Sequence, residues 1–367
     1  MKIPFVDLPR QSKALEAETL QAMGQVYRSG QYILGPQVEA FEGEISTYLQ
    51  IPYSIGVASG TEAIFLALKA LGIGPGDEVI TTAFSFIAPT EMILALGATP
   101  VFADIVEETF SIDPASVEAS ISPKTKAVLV VHLFGAPVDM KSIGGICDRH
   151  KLFLIEDCCQ AFGASYQGKK VGTLGDVGCF SFYPTKVLGG LGDGGLITTA
   201  HEDLANTLRA LRHHGSRAGE EHYLLGWNSR LDEIQAAVLR VRLKFIDSWI
   251  MERKKLAKLY QKHLEPTKTK IPNPSYGEDA IYQNYTIRIK NREAVRKALN
   301  TADIETMVYY PRTLDQIPAV RRKLKSETPV LPKAEKVCEK VLSLPFYPGL
   351  SEAEVERVCQ VLRDFEK

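Results

Sequence analysis

Between about Ile51 and Thr199 the chain alternates short apolar runs with stretches whose apolar positions recur at helical spacing, the pattern of successive β-α-β units. Val79–Thr82, Pro100–Asp104, Ala127–Val131 and Leu152–Asp157 are the predicted strands. Several are apolar at consecutive positions, so both faces of their sheet must be covered, which predicts a mostly parallel sheet flanked by helices on each side. After a glycine- and charge-rich loop, His214–Glu221, a periodic stretch from about Leu231 to His263 predicts one long helix linking two domains. The remainder, richer in Lys, Glu and Pro, predicts a smaller α+β unit with a strand near Tyr285–Ile289 and a last helix from Ser351. The expected fold is α/β, with a large domain over residues 1–245 and a small one over residues 246–367.

Composition narrows the function. The 367 residues can bury an ample core, and a formal net charge of −1 without long basic runs leaves no electrostatic footprint for nucleic acid or an anionic membrane. No apolar run is long enough to span a bilayer, and Met1–Asp7 lacks the apolar stretch of a secretory signal, so a cytoplasmic protein acting on small molecules is expected. Cys147, Cys158, Cys159, Cys179, Cys338 and Cys359 lack C-x-x-C spacing and are expected to be reduced, buried, small apolar residues. His213 and His214 are adjacent, His132 stands alone in an apolar run, and no metal site is expected.

Candidate chemistry gathers at the ends of the predicted strands. Ser181-Phe182-Tyr183-Pro184-Thr185-Lys186 runs into a glycine-rich stretch ending Gly192-Asp193-Gly194-Gly195. A lysine five places after a serine, at the end of an apolar run, suits an imine on the amine and a phosphate on the hydroxyl, the two attachments of pyridoxal 5'-phosphate. Ser59-Gly60-Thr61-Glu62 reads as a capping box opening a helix over Ala63–Leu71. Free N–H groups there, with Gly60 allowing close approach and Thr61 adding a donor, make a phosphate cradle, or else an ordinary capped helix. Asp157 ends a strand and can pair with a protonated pyridine nitrogen or cap the next helix; Gln160 lies three places on, and Phe86 offers an aromatic face or a core ring. Gly72-Ile73-Gly74-Pro75-Gly76 follows a helix and precedes a strand, the reverse of a dinucleotide-binding turn, and the glycines after Lys186 open no helix.

Taken together these segments resemble the DegT/DnrJ/EryC1/StrS family of pyridoxal-phosphate-dependent nucleotide-sugar aminotransferases, of the fold-type-I class. The resemblance extends from Phe5-Val6-Asp7-Leu8 and Tyr32-Ile33-Leu34-Gly35-Pro36 through Gly226–Asp232 and Gln235-Ala236-Ala237 to Ser343-Leu344-Pro345. It implies that Lys186 holds the cofactor covalently, Asp157 pairs with the ring nitrogen, Gln160 meets the ring hydroxyl and Phe86 covers one face. It also implies that Gly60, Thr61 and Ser181 bind the phosphate, while Asn228 reaches into a neighbouring subunit's site and makes a homodimer functional. The run Leu191-Gly192-Asp193-Gly194-Gly195 looks like that of enzymes that aminate a 3-keto sugar, and the resemblance implies L-glutamate as donor; amination at C4, or a sugar dehydratase or lyase on the same scaffold, is the alternative. A non-catalytic nucleotide-sugar binder is a further one. Tyr309-Tyr310-Pro311-Arg312 stands where the family often has His-Tyr-Pro, a departure close to the sugar site that weakens the transfer of substrate identity; Tyr183, Arg230, Tyr309 and Tyr310 are the expected sugar-facing residues.

Overall fold

The apolar runs assemble one central sheet in the computed structural model, which describes residues 2–216, 221–265, 267, 269–271, 279–324 and 330–366. Residues 217–220 of the expected loop lie outside the described residues. The strands are β1 (Tyr53–Val57), β2 (Glu78–Thr82), β3 (Thr99–Ala103), β4 (Thr125–Val131), β5 (Phe153–Asp157), the short hairpin pair β6 (Ser165–Tyr166) and β7 (Lys169–Lys170), then β8 (Val177–Ser181), β9 (Gly195–Thr199), β10 (Tyr285–Arg288) and β11 (Val341–Leu344). Seven of them form the sheet in the order β1-β9-β8-β5-β4-β2-β3. Only β9 runs against its neighbours, so the sheet is mostly parallel, as the two-faced apolar runs require. The register places Val57 and Ser181 each opposite Gly195, so the carboxyl ends of β1 and β8 meet the amino end of β9 at one edge. Open α/β sheets bind ligands at that edge.

Helix starts follow their sequence signals with one difference. Ser59 Oγ accepts the Glu62 N–H at 3.1 Å and starts the helix Gly60–Ala70, but Glu62 Oε2 is buried without a partner. Only the serine half of the expected capping box is therefore seen. The last helix, Glu352–Glu366, opens at Ser351, whose Oγ accepts the Glu354 N–H at 3.3 Å and donates to Glu354 Oε2 at 2.8 Å.

The single helix expected from Leu231 to His263 is two helices, Glu233–Leu243 and Ile246–Leu264. The break is a tight turn in which the Phe245 N–H bonds Arg242 O at 3.0 Å, and the Phe245 ring stacks on Trp249 with centroids 6.3 Å apart. Apolar spacing continues through Leu243, Ile246 and Ile250, which hides the change of direction.

The second helix joins two cores. Ile246, Trp249 and Ile250 pack with Phe41, Phe162 and Phe182 beside the large sheet, whereas Leu256, Tyr260 and Leu264 pack with Tyr285, Ile287, Leu342 and Val358 around the β10–β11 pair. Ile3, bridged to Ile304, belongs to the latter group, while Leu314, Val320, Leu331 and Val337 return to the core of the large sheet. No helix among the described residues is long and apolar enough to cross a membrane.

Candidate active site

Three backbone segments converge at the carboxyl edge of the sheet. A Cβ on Gly60 would lie 2.5 Å from Ser181 Cβ and 2.7 Å from Cys159 Sγ, and one on Gly195 would lie 2.3 Å from the Ser59 carbonyl carbon. All three distances are below any real side-chain contact, so glycine is what lets the helix start, the end of β8 and the Asp157–Cys159 turn meet. The free N–H groups of Gly60–Ala70 open beside Ser181 in this cradle.

Asp157 ends β5 as a buried residue, with its Oδ1 accepting the Cys159 N–H at 3.0 Å. Burial raises its pKa, opposed by hydrogen bonds from Cys159 and by the charge of Lys186. Lys186 follows β8 on a turn in which its N–H bonds Tyr183 O at 2.8 Å. Its side chain keeps some exposure, yet protein surrounds the amine closely enough that desolvation lowers its pKa, against the pull of Cys159 and Asp157. The result is an amine biased towards its neutral, nucleophilic form beside a carboxylate short of a cationic partner.

Aromatic rings and a side-chain amide stand around this pair. Gln160 accepts the Phe134 N–H on Oε1 at 2.9 Å and donates from Nε2 to the Tyr310 hydroxyl at 3.2 Å. Tyr310 packs against Phe84 and Phe86 with centroids 6.0 and 6.5 Å apart, and burial raises its pKa. Phe84 is buried in the core, but Phe86 and Tyr183 are each 52% exposed, so their rings are free to meet a ligand. Tyr309 lies 5.4 Å from Tyr310, ring to ring, and within electrostatic reach of Tyr183. The expected residues Gly60, Phe86, Asp157, Gln160, Ser181, Tyr183, Lys186, Tyr309 and Tyr310 are thus joined by contacts; Thr61 sits in the first turn of the cradle helix.

Two expected residues stand apart. Arg230 donates from Nη1 to His213 Nδ1 at 3.0 Å, and its Nε is buried without a partner; burial and this guanidinium lower the His213 pKa. Asn228 is exposed on a segment bridged to His213.

The one set of His, Cys and acidic ligand atoms close enough to hold a metal, among the described residues, is His132, Glu156 and Cys158. Two of the three, His132 and Glu156, are already engaged. His132 Nδ1 accepts the Val138 N–H at 3.1 Å, so Nε2 carries the proton and donates to Glu156 Oε2 at 3.0 Å. Glu156 also accepts the N–H groups of Gly172, Leu174 and Gly175 at 2.8, 2.7 and 2.7 Å. This buried network braces the strand that ends in Asp157.

Two residues of the site carry no sequence signal of their own. Cys159, expected to be a buried apolar filler, is partly exposed and hydrogen-bonded to Asp157. Gln283 lies 97 positions beyond Lys186 and touches both of its chain neighbours. A lone glutamine two residues before a predicted strand is the only trace of it in the sequence.

Comparison with known proteins agrees with this geometry. The model of the DegT/DnrJ/EryC1/StrS aminotransferase family matches residues 13–363. The chain is 44% identical to the "pleiotropic regulatory protein" of Geobacillus stearothermophilus, over 100% of this chain and 99% of that one. It is 42% identical to the UDP-N-acetyl-3-dehydro-alpha-D-glucosamine 3-aminotransferase of Acidithiobacillus ferrooxidans, over 98% of this chain and 97% of that one. The crystal structure of Streptomyces venezuelae DesV in complex with a ketimine intermediate superposes with a TM-score of 0.96 at 42% identity, covering 100% of this chain and 99% of that one. The chain belongs to the DegT/DnrJ/EryC1/StrS aminotransferase family.

Proposed function

We propose that this aminotransferase takes an amino group from L-glutamate and delivers it to the keto carbon, C3, of a nucleotide-linked sugar, with pyridoxal 5'-phosphate as its cofactor. The observation that carries the reading is the pairing of a desolvated lysine with a buried carboxylate beside a helix N-terminus that only glycine can complete. The residues fit the cofactor. The cradle of Gly60, Thr61 and Ser181 suits its phosphate, the raised pKa of Asp157 marks a carboxylate that a protonated ring nitrogen would satisfy, and the exposed face of Phe86 suits a planar ring.

Bound there, pyridoxal phosphate supplies an electron sink for the carbanion through which an amino group is exchanged. The protein supplies the rest. Lys186 Nζ, biased towards neutrality, would be the nucleophile that holds the cofactor and, when released from it, the base that moves the amino donor's Cα proton. Asp157 would pair with a protonated ring nitrogen, and Gln160 would orient the ring by its side-chain amide. Water would supply the oxygen that turns glutamate into 2-oxoglutarate, and the same groups would serve the reverse exchange on the keto sugar, which releases water.

The 3-keto assignment rests on Leu191-Gly192-Asp193-Gly194-Gly195 and on the similarity to the Acidithiobacillus 3-aminotransferase. Tyr183, Tyr309 and Tyr310, grouped beside Gln160, would face the sugar, and the orphaned Arg230 Nε suits a diphosphate or carboxylate. A homodimer with shared sites is part of the proposal, supported by exposed Asn228 and by Tyr32, Ile33, Leu191 and Leu225, large apolar side chains left exposed near the glycine loop and its neighbouring segments. The test runs the reaction in reverse: the protein with pyridoxal phosphate, 2-oxoglutarate and a panel of UDP- and dTDP-linked 3-amino and 4-amino sugars. Glutamate formed only from 3-amino sugars is the expected result, and glutamate formed only from 4-amino sugars would overturn the C3 assignment.

A further inference from the structure

We infer that Gln283 is a positioning residue for Lys186, clamping the backbone on both sides of it and tying that backbone to the small unit. Its Oε1 accepts the Val187 N–H at 3.0 Å and its Nε2 donates to Thr185 O at 2.8 Å, so one side-chain amide brackets the lysine. The side chain is buried, at 7% exposure, where both hydrogen bonds are sheltered from competing water.

The clamp is itself held from both ends. The Gln283 N–H donates to Phe134 O at 2.8 Å, and the N–H of that same Phe134 donates to Gln160 Oε1, so the cofactor-site amide and the clamp share one residue. Phe134 is left-handed, at φ 56°, and a Cβ on the adjacent Gly135 would lie 2.9 Å from Gln283 N, which leaves no freedom in the packing there. From the other side, Arg253 on the helix that joins the two cores donates to Tyr282 O at 3.0 Å and Gln283 O at 3.3 Å. Arg253 is buried, and burial pulls its pKa down to about 10. Its guanidinium also faces the Phe346 ring at 5.7 Å.

A lysine that carries a cofactor, releases it and then moves a proton has to swing its side chain without letting its Cα drift. Four flexible methylenes give the amine its reach, so the backbone anchor sets where that reach is centred. Gln283 supplies the anchor through the two peptide groups flanking Lys186, and neither bond uses the lysine's own amine. The inference deepens the proposed reaction and rests on that reading for its kinetic part only.

The test uses the full-length protein with Gln283→Leu, which removes both hydrogen bonds, and Gln283→Glu, which keeps the acceptor for Val187 and loses the donor to Thr185. Hydrogen exchange of the segment around residues 183–188 is measured without cofactor, and the pH dependence of the visible spectrum, kcat and KM are measured with pyridoxal phosphate bound. Expected are faster exchange in both variants, a shifted spectral pKa, and a kcat lowered about tenfold or more in Gln283→Leu and less in Gln283→Glu, with KM for glutamate little changed. Unchanged exchange and an unchanged spectral pKa in a folded variant, even one with a lower Tm, would overturn the assignment; if Gln283→Leu does not fold, Gln283→Glu decides. If the wild-type protein gives no lysine-bound cofactor spectrum, the proposed function fails, while the exchange data still judge the clamp.

Discussion

At the scale of single residues, the site departs from what stability alone would select. The pKa of Asp157 is raised in the fold by burial, so its neutral form favours folding. That contribution is present below the titration range of an unfolded carboxylate and is lost as pH rises through the folded value. Asp157→Asn is therefore expected to leave the cofactor-free protein at neutral pH as stable as wild type or more so, with a flatter stability profile across mildly acidic pH, while turnover falls about 100-fold or more. Urea denaturation at several pH values and steady-state kinetics check the two halves separately. Glu156, one residue earlier, serves stability through its hydrogen bonds. It is buried and accepts hydrogen bonds from three backbone N–H groups and His132, so Glu156→Ala is expected to cost about 3 kcal/mol or more, read from the urea midpoint. That Lys186, Asp157 and Gln160 lie together is legible in the sequence from their spacing from strand ends, and their roles stand as part of the proposal. Gln283 is not legible: what ties it to Lys186 is a contact across the fold, which no local pattern encodes.

Among elements, the strands are the most legible part of the chain, because a strand covered on both faces is an unbroken apolar run with polar punctuation. The helix break at Lys244–Phe245 is illegible for the same kind of reason, since the apolar period continues across the turn. The helix Gly60–Ala70 shows how an element's start is set by its neighbours rather than by propensity. Alanine at a helical glycine ordinarily stabilises by about 1 kcal/mol. Here the new methyl would lie 2.5 Å from Ser181 Cβ, so Gly60→Ala is expected to destabilise the protein and to weaken pyridoxal phosphate binding about tenfold or more. Thermal melting and cofactor titration by fluorescence measure both effects; a stabilised variant with unchanged cofactor affinity would show that the cradle does not hold the phosphate.

For the whole molecule, the mostly parallel sheet and the smaller unit beside it follow from the sequence pattern, but the way they interleave does not. Ile3 crosses to the small core, and Leu314, Val320, Leu331 and Val337 return to the large one, both through long-range packing. The division near residue 245 stands as a proposal, and since one helix contributes to both cores, limited proteolysis is expected to cut elsewhere than within Ile246–Leu264. The proposed dimer belongs to this scale too. Asn228→Ala is expected to lower cofactor retention with the assembly intact, and Leu225→Glu, at a side chain 90% exposed, to shift the protein towards monomer in sedimentation and to lower cofactor retention with it. Unchanged retention in a dimer carrying Asn228→Ala would count against sites shared between subunits.

The measurement that bears most directly on the account is the visible absorption spectrum of the purified protein with pyridoxal 5'-phosphate, recorded before and after L-glutamate is added without any sugar. The account expects a lysine-bound cofactor band that glutamate converts to the band of the pyridoxamine form, with an equivalent of 2-oxoglutarate released, and neither change in Lys186→Ala. A lysine-bound band that glutamate leaves untouched would contradict the proposed donor, and the same conversion in Lys186→Ala would contradict the role given to that lysine.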